Sequence, residues 1–240
     1  RQPFRRLARN RRLQPQDVGL LAALSGFHPL LVMSWGFDLM EDAGRSPFMS
    51  FITRQTLRRA DAFTSDARVT CQKAVDFGMD PAHCVVFPWG VDLQRFSPGL
   101  PPRRKGRDFT LLCNRSWEPR YGVDVLARAF VLAARRMENL HLTLLGGGSQ
   151  EDHLRRIFLQ GGAADRVRFG GRVHYDDQPG HYHQADLFIS PSHVDGSSVS
   201  LMEALACGLP VLVSDIPANR EWVQDGVNGW LFTDGDNREL

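Results

Sequence analysis

The second half of the chain alternates short apolar runs with stretches in which apolar residues recur every three or four positions. Short apolar runs bounded by turn residues are typical of buried strands, and the longer spacing is typical of amphipathic helices. The pattern predicts strands over residues 109–114, 140–145, 167–169, 185–190, 211–214 and 229–232, and helices over residues 123–137, 151–160, 200–206 and 218–223. The predicted apolar stripe of helix 123–137 consists of Leu126, Phe130, Ala133, Ala134 and Met137.

The first part of the chain shows the same rhythm. Its pattern predicts strands over residues 29–33, 62–65 and 84–87, and helices over residues 50–60 and 66–77. Apolar strands that alternate with helices form parallel sheets, because right-handed crossovers place the helices on the sheet faces. We therefore predict an α/β fold with doubly wound sheets, in which ligands bind at the carboxyl ends of the strands.

One segment interrupts this rhythm. Residues 96–108, FSPGLPPRRKGRD, contain three prolines, two glycines and four basic residues. Proline and glycine break regular elements and charge favours solvent, so this segment is predicted to be a linker. It divides the chain into a domain over residues 1–98 and a second domain over residues 99–240.

Composition places the chain among ordinary globular proteins, with 42% hydrophobic and 23% charged residues. No apolar run approaches the roughly 20 residues that a membrane-spanning helix needs. The four cysteines are scattered without metal-ligand or redox spacing, which favours reduced thiols in the cytoplasm. They are Cys71, Cys84, Cys113 and Cys207.

The first twelve residues contain six arginines. Arg5, Arg9 and Arg12 would share one helix face, which is compatible with peripheral contact to anionic lipid at the inner face of a membrane. The other interpretation is a solvated chain start, as most runs of like charge are. Nucleic-acid binding is not expected, because the net charge of the whole chain is only +2 and few aromatic residues lie among these arginines.

Three loops that follow predicted strands carry the polar chemistry. Arg115 follows strand 109–114, the glycine triplet around Gly147 follows strand 140–145, and residues 195–198 follow strand 185–190 and precede a helix. Carboxyl ends of parallel strands meet at one sheet edge, so these loops are expected to converge. Backbone N–H groups at the start of the helix would bind an anion, and Arg115 adds a planar cation for phosphate oxygens.

Two carboxylates flank that helix start. Asp195 precedes the helix and Glu203 lies within it. A carboxylate repels phosphate but accepts hydrogen bonds from sugar or ribose hydroxyls. Anion donors beside hydroxyl acceptors indicate a nucleotide sugar. Each feature alone also has a structural interpretation: a capped turn at residues 196–198, a glycine turn at residues 146–148, and a surface position for Glu203.

At these residues the sequence resembles the retaining glycosyltransferases of family 4, also called group 1, which have the GT-B fold. The signature is two acidic residues separated by seven others, a small-residue helix and Gly-x-Pro-Val. It consists here of Asp195, Glu203, Ala204, Ala206, Gly208, Pro210 and Val211. Residues 87–98 resemble the interdomain crossover of the family, and residues 221–232 resemble the segment after the signature.

The resemblance implies two Rossmann-like domains that face a cleft, with the first domain incomplete and the closing helices of the second missing. The second domain would bind the donor. Glu203 matches the glutamate that accepts from the ribose hydroxyls, and Asp195 matches the glutamate that contacts the transferred sugar. Arg115 matches an arginine that neutralises the diphosphate.

The remaining donor contacts implied by the resemblance come from the backbone. The phosphates would lie at Gly196, Ser197 and Ser198, and the base would lie near the backbone around Arg172 and Val173. The expected reaction transfers a sugar from a nucleoside-diphosphate sugar to a glycan, lipid-linked or small-molecule acceptor, with retention of anomeric configuration. No metal is expected, and the string from Asp234 to Asp236 is interpreted as a surface turn.

Three positions depart from the family pattern. Asp195 replaces the usual glutamate, which shortens its reach by one methylene. Tyr121 stands where the family has a phosphate-binding lysine before a glycine, and Arg120 is the candidate substitute. The acceptor-side segment has Trp35, with Gly36 and Asp38, where the family has a histidine-glycine pair.

Two alternatives stay open from the sequence. The first is a catalytically inactive nucleotide-sugar-binding remnant, which Trp35 and the missing lysine favour. The second is a GT-B-like epimerase or phosphorylase. The lysines, Lys73 and Lys105, lie in a predicted helix and in the linker, where a buried Schiff base is not expected. A role in polysaccharide biosynthesis follows from the main interpretation.

Overall fold

The computed structural model describes residues 15–99 and 108–240, with side chains from residue 18 onward in the first range. The chain forms two compact units. The first unit contains the chain up to Trp89 together with Val194–Ser197, and the second contains Gly90–His193 and Ser198–Leu240. The predicted lipid-binding arginines and most of the predicted linker lie outside the described residues.

The first unit is built on three parallel strands in the order β1-β2-β3. Its elements are α1 (Pro15–Leu24), β1 (Leu31–Ser34), α2 (Phe37–Met40), α3 (Pro47–Arg59), β2 (Ala62–Ser65), α4 (Arg68–Asp76) and β3 (Cys84–Val86). The three predicted strands are present. Helix α3 begins at Pro47, earlier than predicted, because Ser46 caps it by accepting a hydrogen bond from the Met49 N–H.

Helix α4 begins two residues later than predicted. The prediction placed its start at Asp66, but the helix starts at Arg68. The Asp66 carboxylate accepts hydrogen bonds from other parts of the first unit, which holds this residue in the loop after β2. The hydrophobic core of the unit packs between the sheet and its helices, and it includes Leu39, Leu57, Phe63, Phe77 and Met79.

The second unit has six parallel strands in the order β6-β5-β4-β7-β8-β9. Its elements are β4 (Phe109–Cys113), α5 (Val123–Ala134), β5 (Leu140–Leu145), α6 (Glu151–Gly161), β6 (Val167–Gly171), α7 (Gln178–His183), β7 (Leu187–Ser190), α8 (Val199–Ala206), β8 (Val211–Ser214), α9 (Pro217–Arg220) and β9 (Trp230–Phe232). The chain runs outward from β4 to β6 and then returns to β7 beside β4. This reversal makes the sheet doubly wound and confirms the predicted α/β fold with parallel sheets.

Two buried clusters cover the two faces of this sheet. On one face, Leu126 and Phe130 of α5 pack against Phe158 of α6 and the strands. The predicted stripe was wrong at Met137, because α5 ends at Ala134 and Met137 is exposed.

The start of the second unit also differs from the predicted boundary. Phe96 is fully buried in the cluster on the other face, near the rings of Tyr175 and Tyr182. The predicted linker therefore begins too early, and the second unit includes residues from Gly90 onward. Among the helices of residues 15–99 and 108–240, none has the length and hydrophobicity of a membrane span.

Gly122 supports a first prediction. It has a φ of 59° at the start of α5, and a Cβ atom there would lie 2.1 Å from the carbonyl oxygen of Pro191. Gly122→Ala combines left-handed backbone strain with overpacking, so we expect roughly 2–6 kcal/mol of lost stability. Chemical denaturation would measure it. The control is Gly162→Ala, where φ is 69° but no atom lies within 4 Å of the added Cβ. Equal losses in the two variants would contradict the steric argument.

Candidate functional site

The site of the second unit is built around the start of α8. Ser198 is the N-cap of this helix, and its hydroxyl accepts a hydrogen bond from the Leu201 N–H at 3.4 Å. The following turns bury Leu201, Met202 and Ala204 against the sheet, which fixes the direction of the helix. The amino end of α8 therefore presents its partial positive charge at a defined place.

Arg115 reaches this helix start from the loop after β4. Its Nη1 donates to the Ser198 hydroxyl at 2.9 Å and to the Ser200 hydroxyl at 3.2 Å. Its guanidinium carbon lies 4.6 Å from the ring centroid of Tyr121. Two hydrogen bonds and one aromatic face hold the guanidinium plane, so a fixed cation stands beside the helix amides.

Glu203 lies one helical turn beyond Ser200 and is 5% exposed. The Tyr182 hydroxyl donates to its Oε2 over 2.7 Å and also lies 3.2 Å from the Ser200 carbonyl oxygen. Asn114 Nδ2 donates to the same tyrosine oxygen at 2.7 Å. Arg115 and Glu203 thus belong to one hydrogen-bonded network that passes through Ser200.

Two opposing effects determine the pKa of Glu203. Burial raises its pKa above the ordinary glutamate value, and the hydrogen bond from Tyr182 opposes part of that rise. Burial and the charge of Glu203 in turn raise the pKa of Tyr182, so the phenol stays protonated and remains a donor. Among the described residues, none donates to the second oxygen of Glu203, Oε1, which leaves it for a ligand hydroxyl.

Tyr182 and Asn114 were not predicted as site residues. Asn114 directly precedes Arg115, so its position after β4 was a signal in the sequence. Tyr182 lies in the short helix α7 within an unremarkable stretch, QPGHYHQ, and only the fold brings it to Glu203.

The glycine triplet after β5 follows from close packing. Gly146 has a φ of 115°, and its N–H donates to the Gly171 carbonyl at 2.7 Å. A Cβ atom at Gly148 would lie 2.5 Å from the Trp117 carbonyl oxygen. The Gly147 position faces Arg172, with 3.9 Å between a built Cβ atom and Nε of that residue. The structure therefore brings Gly147 beside the segment that was predicted to meet the base.

Val173 and Arg120, which were also predicted to contact the sugar donor, both make contacts within the second unit. Val173 packs, partly buried, against the core cluster that contains Leu201. Arg120 lies in the 3-10 turn Pro119–Tyr121, and its carbonyl accepts from the His193 N–H at 3.0 Å.

The remaining predicted residues belong to the first unit. Trp35 is 56% exposed and its ring lies 5.1 Å from that of Trp89. Asp38 is buried, and its Oδ1 accepts from the Ser34 hydroxyl at 2.7 Å and from the Trp35 N–H at 3.1 Å. Burial raises its pKa, with these hydrogen bonds acting in the opposite direction. Asp38 therefore shapes the turn between β1 and α2.

The loop that precedes α8 is tightly folded within the first unit. The Gly196 N–H donates to the Asp195 carboxylate at 3.1 Å, and the Ser197 N–H donates to Asp66 at 2.8 Å. A Cβ atom at Gly36 would lie 2.5 Å from the Gly196 nitrogen, which explains the glycines on both sides of this contact. Of the three backbone donors predicted for phosphate, those at Gly196 and Ser197 are thus occupied by carboxylates.

The segment from Asp234 to Asp236 forms a turn after β9. Asp234 Oδ1 lies 2.6 Å from His193 Nδ1, and Asp236 accepts from the Arg238 and Glu239 N–H groups. These bonds lower the pKa of Asp236, as expected for a turn carboxylate. In the part of the chain that the structure describes, no group of three or more His, Cys, Asp and Glu residues is arranged to hold a metal ion.

The chain is similar in sequence to known glycosyltransferases. A GDP-mannose-dependent alpha-(1-6)-phosphatidylinositol monomannoside mannosyltransferase from Mycobacterium tuberculosis (strain CDC 1551 / Oshkosh) is 31% identical over 202 residues, covering 77% of this chain and 52% of that protein. A D-inositol 3-phosphate glycosyltransferase from Geodermatophilus obscurus is also 31% identical, over 76% of this chain and 44% of its own length. The chain thus spans about half the length of the curated relatives it matches.

A solved structure supports the fold. The crystal structure of Anabaena HepE in complex with UDP and glucose matches with a TM-score of 0.79 and 20% identity, covering 93% of this chain and 64% of that one. The match establishes the same GT-B-type α/β architecture for the aligned part. The family model described as "Glycosyl transferases group 1" matches residues 108–240, which are more than half of the chain. The chain belongs to the group 1 glycosyltransferases.

Proposed function

We propose that the chain is the donor-binding part of a glycosyltransferase that uses a nucleoside-diphosphate sugar. The observation that carries the proposal is the network around Ser200, in which Arg115 and Glu203 meet at the start of α8. A diphosphate needs a cation and free amides, and a ribose needs a hydroxyl acceptor. This network offers all three within one unit.

The proposed roles follow from the contacts. Arg115 and the amino end of α8 would neutralise the diphosphate, whose charge grows as the sugar leaves. Oε1 of Glu203 would accept from the ribose hydroxyls, while Tyr182 fixes the orientation of the carboxylate. The backbone at Gly147 and Val173 would meet the base. Arg120 would take the part of the lysine that the family has before its glycine.

Asp195 is the proposed contact of the transferred sugar, and the acceptor would lie near Trp35 and Gly36. The mycobacterial relative is named for GDP-mannose and a phosphatidylinositol mannoside, and HepE was solved with UDP and glucose. These names support a GDP- or UDP-sugar donor and a hydroxyl-bearing acceptor, either lipid-linked or a free polyol or glycan. Retention of anomeric configuration is the outcome that the family resemblance implies.

The proposed donor site needs no metal ion. Two arginines, Arg115 and Arg120, supply the positive charge that a divalent cation would otherwise provide. We expect the affinity for UDP or GDP, measured by calorimetry, to stay within about twofold when EDTA replaces added Mg²⁺, since a guanidinium does not depend on free metal. A loss of binding in EDTA that Mg²⁺ restores would contradict this assignment.

Two experiments test the proposal as a whole. Calorimetry with UDP, GDP and their glucose and mannose conjugates tests donor binding by the chain. A transfer assay with the same conjugates and polyol acceptors tests catalysis. Binding without transfer or hydrolysis would favour the inactive remnant, which Trp35 in place of a histidine supports. The absence of any nucleotide binding would remove both interpretations.

Tyr182→Phe provides a pH-dependent prediction. The hydrogen bond from Tyr182 lowers the pKa of Glu203 against the effect of burial, so its loss raises that pKa further. Only the ionised carboxylate is a full acceptor, and nucleotide affinity should therefore fall as the pH drops through the pKa of Glu203. We expect the fall to begin at a higher pH in Tyr182→Phe than in the parent chain, as measured by calorimetry across the acid range.

The control for this variant is Tyr175→Phe. Tyr175 is exposed and stacks on Phe96 and Arg95 through its ring, which the substitution keeps. Its pH profile should match that of the parent. A profile of Tyr182→Phe that also matches the parent would mean that Glu203 does not carry the pH dependence.

A further inference from the structure

Asp66 joins separate parts of the first unit, although the sequence pattern predicts only a helix start at this residue. It follows β2 and is 3% exposed. Its Oδ2 accepts from the Ser197 N–H at 2.8 Å and from the indole Nε1–H of Trp89 at 3.0 Å. Two N–H donors on one carboxylate oxygen offset part of the cost of burying its charge.

The backbone of Asp66 holds the same loop a second time. The Ser197 hydroxyl donates to the Asp66 carbonyl oxygen at 2.6 Å. Ser197 is therefore tied to Asp66 through both its amide and its side chain. Because both bonds end on one residue, the orientation of the peptide between Gly196 and Ser197 is fixed.

Gly196 is enclosed by these groups. A Cβ atom on Gly196 would lie 2.5 Å from Oδ1 of Asp66, so the carboxylate rests against the Gly196 Cα atom. A Cβ atom on Gly36 would meet the Gly196 nitrogen at 2.5 Å. The two glycines allow backbone and carboxylate to approach closely, and neither position leaves room for a side chain.

The charges around the Gly196–Ser197 segment indicate which ligand groups it could accept. Burial raises the pKa of Asp66 and the nearby charge of Asp195 raises it further, while the Ser197 and Trp89 hydrogen bonds oppose both. Two carboxylates, Asp66 and Asp195, therefore lie at the two ends of the Gly196–Ser197 segment. An anion would be repelled there, whereas hydroxyl groups would find acceptors.

We propose that Asp66 is a positioning residue that locks residues 195–197 in place for the transferred sugar and withdraws the Ser197 amide from phosphate binding. This inference rests on the proposed donor-binding function. Under it, contact with the transferred sugar depends on Asp195, whose loop Asp66 holds, whereas the contacts proposed for the diphosphate do not involve Asp66.

The test compares two ligands that differ only in the sugar. Calorimetry with UDP and UDP-glucose, and with GDP and GDP-mannose, is carried out on the parent chain and on Asp66→Ala. We expect affinity for the diphosphates to stay within about threefold, because their contacts do not involve Asp66. Affinity for the matching sugar nucleotide should fall roughly tenfold or more, because a displaced loop misplaces its acceptor group.

The control is Asp42→Asn. Asp42 is buried in the same unit and lies outside the contacts of the loop. It should change both affinities equally or not at all. Equal losses of diphosphate and sugar nucleotide in Asp66→Ala, or no loss of either, would overturn the proposal. Asp66→Asn keeps one acceptor oxygen and should recover part of the sugar-nucleotide affinity, a rescue that general unfolding would not show.

A ligand-free measurement separates this inference from the proposed function. Hydrogen exchange at the Ser197 amide should be roughly tenfold faster or more in Asp66→Ala than in the parent, while amides of β2 keep their protection. Unchanged exchange at Ser197 would refute the positioning role even if nucleotides bind. Faster exchange in a chain that binds no nucleotide would instead retain the role in holding the loop and refute the proposed function.

Discussion

Glu203→Ala should abolish nucleotide binding by this chain. The proposed ribose contacts are hydrogen bonds to an ionised carboxylate, each worth about 1.5–3 kcal/mol, so the loss of two corresponds to a fall in affinity of roughly 100-fold or more. The substitution also leaves the Tyr182 hydroxyl without the acceptor that it has at 2.7 Å. Calorimetry with UDP and GDP would measure the change.

Glu203→Gln separates charge from shape in the same experiment. The raised pKa of Glu203 means that the folded chain binds this proton more tightly than the unfolded chain. Stability therefore falls as the pH rises from the ordinary glutamate pKa through the raised pKa of the folded chain. A neutral glutamine keeps an acceptor for Tyr182 and avoids that loss. We expect a higher Tm at pH 7.5 together with weaker nucleotide binding.

The control for both substitutions is Glu138→Ala, which removes an exposed glutamate of the same unit. It should change neither Tm nor nucleotide affinity. Nucleotide affinity that is unchanged in Glu203→Ala would remove the main assignment of the site. A lower Tm for Glu203→Gln would show that the ionised carboxylate stabilises the fold, against the direction of its pKa.

Arg115→Ala is expected to have the second large effect. It removes the cation proposed for the diphosphate and leaves the Ser198 and Ser200 hydroxyls without their shared donor. Loss of one donor that stabilises developing charge costs about 100- to 1,000-fold in turnover in other enzymes. We expect a fall of that size in the transfer rate and a roughly tenfold loss of UDP or GDP affinity. Steady-state kinetics and calorimetry measure the two quantities.

Arg115→Lys tests the geometry of the cation as well as its charge. A lysine ammonium lacks the planar fork that bonds two serine hydroxyls while it faces the Tyr121 ring. It should therefore restore only part of the affinity. The matched control is Arg128→Ala, because Arg128 is an exposed arginine on α5 that pairs with Asp124 at 2.8 Å. Full activity in Arg115→Lys would mean that charge alone is sufficient.

The fold of the second unit could be predicted well because its strands are continuous apolar runs. All six predicted strands of this unit are present, and their parallel pairing follows from the alternation with helices. Helix ends were less predictable. The apolar spacing continues to Met137, but α5 ends at Ala134 and Met137 is exposed. Apolar periodicity predicts which residues can share one face of a helix. It does not determine the last residue of the helix.

The first unit was predicted less completely. Helix α1 is polar at Gln16 and Asp17 and then largely apolar without a clear stripe, so periodicity did not identify it. Helix α2 has only four residues, and its position depends on the hydrogen bonds that Asp38 accepts from Ser34 and Trp35. Short elements that depend on such side-chain contacts leave no periodic signal.

The residues of the candidate site also differ in how far the sequence could identify them. Arg115 could be identified because it follows a predicted strand, and Glu203 because it belongs to the signature. Their proximity to the start of α8 follows from the doubly wound sheet. Tyr182 and Asp66 could not be found in this way. Each acts through a partner far away in sequence, and nothing in the neighbouring residues identifies the partner.

The bonds between Asp66 and Ser197 also concern the synthesis of the chain. The two residues are 131 positions apart in sequence. At about 5–20 residues per second, a ribosome needs on the order of ten seconds to extend the chain from one to the other. During that interval the Asp66 carboxylate lacks one of its two N–H donors, the Ser197 amide. Completion of this unit therefore waits for translation of most of the second unit.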